Sequence, residues 1–188
     1  MDNWINQIEE VVSNLASAQG CRFYDVELTG TGNGRVLAIY IDKESGVGIE
    51  DCSIISKGLN EYLDENDIVP GGEYQLEVSS PGLDRKLKKM NHFSSVVNEK
   101  AAFELNQNLA TFGMQDKSLI NAKKFEAVVL GTEIDSVLIF VKEVELKVPM
   151  NAIVKAKLVF DFNAQLKKHK SKNESDSNAN KAKILMKN

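Results

Sequence analysis

An abrupt end to a strand pattern, in the run LEVSSPGLDRKL at residues 76–87, constrains this chain more than any other feature. Leu76 and Val78 alternate with polar neighbours, which is the period of two expected of a half-buried strand. Pro81 has no N–H to give to a sheet, and Gly82 accepts the positive φ that follows proline in a type II turn. A basic stretch begins directly afterwards. The run predicts a joint between two small domains, although an ordinary tight turn also fits these residues.

The length and composition of the chain bound its class. It has 188 residues, of which 43% are hydrophobic, and this suits one medium-sized domain or two small ones. The sequence has no apolar run of about 18 residues and no basic, apolar leader, so we expect neither a membrane span nor export. Cys21 and Cys52 are too few for a disulfide framework and too far apart for a CxxC zinc site. We therefore expect a cytoplasmic protein with reduced cysteines, no metal and no other cofactor.

The net charge of −4 conceals an uneven distribution along the chain. Residues 1–83 carry 4 basic and 15 acidic side chains, a net charge of −11. Residues 84–160 carry 12 basic and 9 acidic side chains, and residues 161–188 carry 7 and 3. An acidic first half repels phosphate backbones and attracts basic proteins. We do not expect this half to clamp nucleic acid, although a need for solubility also explains such acidity.

Hydrophobic periodicity in the first half predicts a small α+β domain. Asn3 is a candidate helix N-cap, a second helix start is expected at Glu50 or Asp51, and Asn33-Gly34 is typical of a hairpin turn. The two helices are expected to pack on one face of the sheet. The predicted elements are helices over residues 5–15 and 52–63 and strands over residues 24–28, 36–41 and 74–78.

Short, evenly spaced apolar segments in the second half predict a small β-barrel. Segment 106–124 between two of them is long for a hairpin loop and predicts either a mobile excursion or a contact surface. Residues 163–188 are rich in Lys, Ser and Asn, so we expect a basic disordered tail there. The predicted strands lie at residues 101–105, 125–130, 136–141, 144–149 and 154–160.

The sequence contains no recognisable catalytic constellation. Neither His92 nor His169 has a nucleophile at a spacing that would pair with it, and no serine lies in a GxSxG elbow. Gly30, Gly32 and Gly34 lack the lysine of a phosphate-binding loop, so they fit a flexible hairpin end better than a nucleotide site. We therefore predict that the protein is not an enzyme and has no catalytic residues.

Three segments together resemble the bacterial ribosome maturation factor RimP family. They occur in the order found in that family: YIDKESGVGIEDC at 40–52, LEVSSPGLDRKL at 76–87 and VPMNAIVKAKLVF at 148–160. The resemblance implies an α+β fold with three parts. These are an N-terminal two-helix, three-strand domain at residues 1–83, a C-terminal SH3-like β-barrel at 84–162 and the disordered tail at 163–188.

The resemblance also implies a non-catalytic role in assembling the small (30S) ribosomal subunit. The implied partners are the immature small subunit, a basic small-subunit ribosomal protein near the decoding region and ribosomal RNA. We expect no membrane contact and a monomeric protein. The family motif also includes Leu83, and the residues expected to bind the partner are Asp42, Asp51, Ser79, Ser80, Pro81, Gly82, Asp84 and Arg85. The lysines that we expect to face RNA are Lys86, Lys88, Lys89, Lys155 and Lys157.

Two other functions stay open at this point. An autonomous RNA-binding module is one, because both a unit of this element order and a small barrel occur in RNA binders. The sequence has neither a GxxG loop between helices nor an aromatic-rich RNP strand to support it. The other is an enzyme that acts through Ser79 or Ser80, which would need a general base that the sequence does not supply.

Overall fold

The computed structural model of the chain describes residues 3–160. It divides into two units, the first ending at Arg85 and the second beginning at Lys86. The predicted α+β class is confirmed, with helices and with strands in two sheets. The predicted tail at 163–188 lies outside the described residues. Within the described part of the chain, no helix is long and apolar enough to cross a membrane.

The first unit contains two helices and a three-stranded sheet, in the order that the sequence predicted. β2 lies between β1, to which it is antiparallel, and β3, to which it is parallel. The parallel pair is connected through α2, as parallel neighbours require a crossover. The elements are α1 (Asn3–Ala18), β1 (Arg22–Thr29), β2 (Val36–Asp42), α2 (Ile49–Glu65) and β3 (Gln75–Ser79).

The core of the first unit lies between the two helices and the central strand. Ile8 and Val12 of α1, Ile55 and Leu59 of α2, and Ile39 of β2 are fully buried in one cluster. Residues three or four apart lie on one stripe of a helix, which is why the periodic apolar positions of the sequence meet here. Truncating one of these side chains to alanine is expected to cost about 2–5 kcal/mol.

Strand β1 departs from simple alternation at Tyr24. The register with β2 shifts between Phe23 and Asp25, so Tyr24 is the extra residue of a β-bulge. Tyr24, Asp25 and Val26 are consequently buried in succession. A bulge re-aims side chains, and the ring of Tyr24 lies below the guanidinium of Arg85, whose carbon is 5.6 Å from the ring centroid. The sequence predicted alternation through this strand and missed the bulge.

The second unit contains a five-stranded antiparallel sheet in the order β7-β6-β5-β4-β8. All five strands that the sequence predicted are present, and a short helix precedes them that was not predicted. In the described pairing β7 and β8 are the outer strands of one sheet, so the SH3-like barrel stays a prediction. The elements are α3 (Met90–Ser94), β4 (Lys100–Leu105), β5 (Lys124–Glu133), β6 (Ser136–Val141), β7 (Val144–Pro149) and β8 (Ile153–Leu158).

An aromatic stack joins α3 to the sheet of the second unit. The ring centroid of Phe103 lies 6.1 Å from that of Phe93 and 5.6 Å from that of Phe125. The helix begins where the buried His92 accepts hydrogen bonds at Nδ1 from the backbone N–H of Lys88, at 3.1 Å, and of Lys89, at 3.4 Å. A helix of five residues has too few turns to show a periodic pattern, so the sequence missed it.

The segment at 106–124 is folded onto the core, so the prediction of a mobile excursion is wrong. Leu109 is fully buried and Met114 is 2% exposed, and both belong to the main apolar cluster. The segment also bonds to itself, because the N–H of Leu109 donates to the carbonyl of Ala122 at 3.0 Å and that of Ala110 to Ile120 at 2.9 Å. Its polar composition conceals the two apolar side chains that anchor it.

Candidate protein-binding edge and basic groove

The segments that carry the sequence motif meet at one edge of the sheet in the first unit. Tyr40 and Ser79 lie opposite each other in the parallel pair, so the loops that follow β2 and β3 leave the sheet at the same edge. Strand β1 begins there, because Arg22 lies opposite Asp42. We call this surface the motif edge and define it as residues 20–24, 42–51 and 79–85.

Asp42 is the centre of an ion cluster at the motif edge. Its Oδ2 lies 2.6 Å from Nη2 of Arg22 and 3.0 Å from Nη1 of Arg85. The Asp42 side chain is 10% exposed, whereas those of Arg85 and Arg22 are 21% and 63% exposed. An acid with two arginines on one oxygen braces β1, β2 and the end of the motif together.

The protonation of the cluster follows from its surroundings. Burial alone would raise the pKa of Asp42, but the hydrogen bond from Arg22 and the charge of Arg85 outweigh it, and the pKa lies below its ordinary value. Burial raises the pKa of Tyr24 to about 12, despite the opposing charge of Arg85. Asp42 is therefore ionised and Tyr24 is a neutral phenol near neutral pH.

Asp51 has a comparable internal role at the start of α2. Its Oδ2 accepts a hydrogen bond from the N–H of Gly48 at 2.9 Å, and its Oδ1 one from Nζ of Lys43 at 2.8 Å. These bonds, that of Lys43 foremost, lower the pKa of Asp51. Nearby, burial raises the pKa of the Cys21 thiol, followed by the charge of Asp51. A raised pKa favours the protonated thiol, which is a weaker nucleophile than the thiolate.

The loop after β3 presents the remaining motif residues to solvent. Ser79, Ser80, Gly82, Leu83 and Asp84 are exposed, and Pro81 is half-buried. Gly82 has a φ of +76°, the positive value predicted for it. Nε of Arg85 donates to the carbonyl oxygen of Gly82 at 3.3 Å. Arg85 thus ties the loop to Asp42, while the loop's side chains other than Pro81 are exposed.

The structure consequently separates the predicted partner-binding residues into two groups. Asp42, Asp51 and Arg85 are buried or half-buried and form ion pairs inside the first unit. Pro81 is half-buried, and the exposed predicted residues are Ser79, Ser80, Gly82 and Asp84. Two further acids of the motif edge, Glu44 and Glu50, are also exposed.

A groove in the second unit contains most of the lysines that we expected to face RNA. It has a volume of about 830 Å³ and lies over β4, β5, β8 and the segment that precedes α3. Four predicted lysines line it, and Lys89 does not. The lining lysines are Lys86, Lys88, Lys124, Lys155 and Lys157.

The walls of the groove are apolar and its charge is mostly positive. Glu104 and Glu126 also line it, and Glu104 pairs with Lys124 at 3.3 Å. Phe103 and Phe125 are among the lining residues, but they are only 3% and 9% exposed. Their faces are therefore not available for stacking on bases. The groove suits contacts to phosphate charge better than the reading of base identity.

Residues 11–84 of the chain match the family model of the RimP N-terminal domain. This stretch of the chain belongs to the RimP N-terminal domain family. The matched residues run from within α1 to the loop after β3 and include almost the whole motif edge. The resemblance that the sequence motifs indicated is therefore confirmed.

Several residues that shape the motif edge were missed by sequence reasoning. Arg22 and Tyr24 complete the Asp42 cluster, and Lys43 holds Asp51. The sequence signal that could have indicated one of them was the position of Lys43 directly after Asp42, within the YIDKESGVGIEDC segment. Among residues 3–160, no group of three or more His, Cys, Asp or Glu side chains is placed to hold a metal ion.

Proposed function

We propose that the protein is a non-catalytic ribosome maturation factor that acts in the cytoplasm as a monomer on the immature small (30S) subunit. The observation that carries this proposal is the match of residues 11–84 to the RimP N-terminal domain. It is supported by the two kinds of surface described above, an acidic edge in one unit and a basic groove in the other.

In this proposal the motif edge binds a basic small-subunit ribosomal protein near the decoding region. The contact is made by Ser79, Ser80, Pro81, Gly82 and Asp84. Asp42, Asp51 and Arg85 act as positioning residues, because their charges are already paired inside the unit. The net charge of −11 over residues 1–83 speeds encounter with a basic partner and orients it.

The groove contacts ribosomal RNA through its lysines, with Lys89 beside it. Exposed lysines attract the phosphate backbone by an interaction that weakens as salt rises. The buried faces of the groove's two phenylalanines leave backbone contact as the main mode, so we expect little dependence on RNA sequence. The RNA-facing residues of the proposal are Lys86, Lys88, Lys89, Lys155 and Lys157.

The domain plan that accompanies this function has limits at residues 1–83, 84–162 and 163–188. We propose that the second domain is an SH3-like barrel, which the five short antiparallel strands support. Tight turns at Asp135 and at Lys142-Glu143, all with positive φ, join consecutive strands as in such barrels.

Co-sedimentation tests the proposal. The purified full-length protein is incubated with immature small subunits, mature small subunits and large subunits across a salt series. We expect preferential, salt-sensitive binding to the immature small subunits. Equal binding to all three particles, or binding to none, would contradict the proposed function.

An autonomous RNA-binding module is the second candidate, and the lysine-lined groove favours it. A module of this kind would bind short single-stranded RNA as strongly as it binds subunits. Weak binding to the short RNA, measured beside tight binding to immature subunits, would exclude this alternative.

A further inference from the structure

We propose that Ile49 and Leu83 are apolar anchors of the motif edge, and that they bind a basic polypeptide segment that carries apolar side chains. The inference rests on the proposed function and names the chemistry of the contact in the first unit. Ile49 is 91% exposed and Leu83 is 60% exposed. A single exposed apolar residue needs no explanation. These two, however, follow neighbouring strands that end at one edge of the sheet, Ile49 at the start of α2 and Leu83 in the loop after β3.

Ile49 is held in place at the first position of α2. The N–H of Gly48, directly before it, is bonded to Asp51 at 2.9 Å, and Asp51 is bonded to Lys43 at 2.8 Å. The backbone on both sides of Ile49 is thus fixed by hydrogen bonds while its side chain stays in water.

Leu83 is held in a similar way within the loop after β3. Arg85, two residues later, donates to the carbonyl oxygen of Gly82 at 3.3 Å and pairs with Asp42 at 3.0 Å. Both apolar side chains are therefore presented on backbone that is already ordered. A contact made by ordered groups loses less conformational entropy on binding, and small clusters of such anchors often dominate an interface.

The charge around the anchors selects the class of partner. Glu44, Glu50 and Asp84 are exposed at the same edge. The cations of the motif edge are Arg22, Lys43 and Arg85, and each is paired with Asp42 or Asp51. Anionic lipid surfaces and RNA phosphates are both repelled by such an edge. The exposed acids attract a basic polypeptide, and the apolar side chains of that polypeptide can pack on Ile49 and Leu83.

The double substitution Ile49→Ser with Leu83→Ser tests the inference. Ile134→Ser is the matched control, because Ile134 is 92% exposed and lies in the second unit. Urea unfolding followed by Trp4 fluorescence checks that the double variant keeps the stability of its first unit. The full-length proteins are then measured against two probes, immature small subunits and RNA-free small-subunit ribosomal proteins purified one by one. Protein-free ribosomal RNA is measured alongside them as a control.

We expect the wild-type protein to bind at least one RNA-free basic ribosomal protein. We expect the double variant to dissociate from it at least about tenfold faster, with the salt dependence unchanged. The Ile134→Ser control should match the wild type. An unchanged dissociation rate in the double variant, or no wild-type binding to any RNA-free protein, would overturn the inference. An equal loss of binding to protein-free ribosomal RNA would overturn the assigned partner class.

The two probes keep this inference separate from the proposed function. If the wild type shows no preference for immature subunits but binds an RNA-free ribosomal protein through the two anchors, the proposed function fails and the inference stands. If it prefers immature subunits and the double variant behaves as the wild type on both probes, the inference fails and the proposed function stands.

Discussion

The motif edge of the first unit and the groove of the second unit both concentrate charged residues, but they hold them differently. At the motif edge the charges face one another, with Asp42 between two arginines and Asp51 bonded to Lys43. In the groove all five lining lysines are exposed beside apolar walls, Lys124 among them although it pairs with Glu104. One charged surface is mainly a brace for the fold, whereas the other leaves most of its charge at the surface.

The difference shows that a family motif can include residues whose charges pair inside their own unit. Asp42 and Arg85 belong to the segments that define the family resemblance, yet they lie against each other. Their substitution should reduce stability before it alters a contact. Substitution of a groove lysine should weaken a contact while leaving the stability of the second unit nearly unchanged.

The largest effect on stability is expected from removing a buried apolar side chain of segment 106–124 in the second unit. Leu109 is fully buried, so Leu109→Ala should lower the free energy of unfolding of that unit by about 2–5 kcal/mol. NMR signals of β4 and β5 followed through a urea titration measure this change. Leu83→Ala, at an exposed leucine, should stay within about 0.5 kcal/mol of the wild type. A small effect of Leu109→Ala would mean that segment 106–124 does not contribute to the core.

Breaking the Asp42 cluster should have the next largest effect. Asp42→Asn leaves Arg85 without its carboxylate and should destabilise the first unit by about 2–3 kcal/mol. This loss of stability is smaller than for a fully buried ion pair. The Arg22 side chain is 63% exposed, so water screens its attraction to Asp42. The fluorescence of Trp4, the only tryptophan, follows unfolding of the first unit in urea. Glu44→Gln, at an exposed neighbouring acid, is the control and should change little.

The pH dependence of stability, compared between the wild type and Asp42→Asn, tests whether the charge of Asp42 braces the first unit. The pKa of Asp42 is lowered in the folded protein, so its contribution is present above the ordinary aspartate pKa of about 3.9 and is lost as pH falls through the lower folded value. The stability difference between wild type and Asp42→Asn should therefore shrink in strong acid. A difference that stays constant down to about pH 2 would contradict the role of the ionised carboxylate.

A smaller effect is expected from the backbone of the motif loop. Gly82 has a φ of +76° and open space where a Cβ would stand, so Gly82→Ala should cost only the strain of that conformation, about 1–2 kcal/mol. Gly72→Ala has open space too and no such φ, and it should be neutral or slightly stabilising. Thermal unfolding of the two variants measures both effects. Equal melting temperatures would mean that the loop does not need the positive φ.

The groove substitutions should change stability least and act on salt dependence instead. Lys155→Gln with Lys157→Gln removes two charges and should reduce the slope of log affinity against log salt by about 1.4 for single-stranded RNA. Lys117→Gln with Lys142→Gln changes two exposed lysines that do not line the groove and is the control. Equal slopes for the two double variants would remove the groove from the RNA contact.

How far the sequence predicts this molecule depends on the range of the interactions involved. Period-two and helical patterns are local, and the sheets and helices that they predicted are present. The bulge at Tyr24 and the burial of Leu109 depend on contacts that are distant in sequence, so no local pattern indicates them. The motif indicated the family and a set of candidate site residues, but the type of an acid does not reveal whether it faces a partner or, as Asp42 does, an arginine of its own fold.

Titration of the Asp42 side-chain carboxyl by NMR, in the wild type and in Arg85→Gln, tests most directly whether the motif acid is a brace. We predict a midpoint in the wild type below the ordinary aspartate value and a higher midpoint in the variant, because the positive charge of Arg85 stabilises the carboxylate. An ordinary midpoint that is the same in both proteins would contradict the account and would return Asp42 to the set of acids available to a partner.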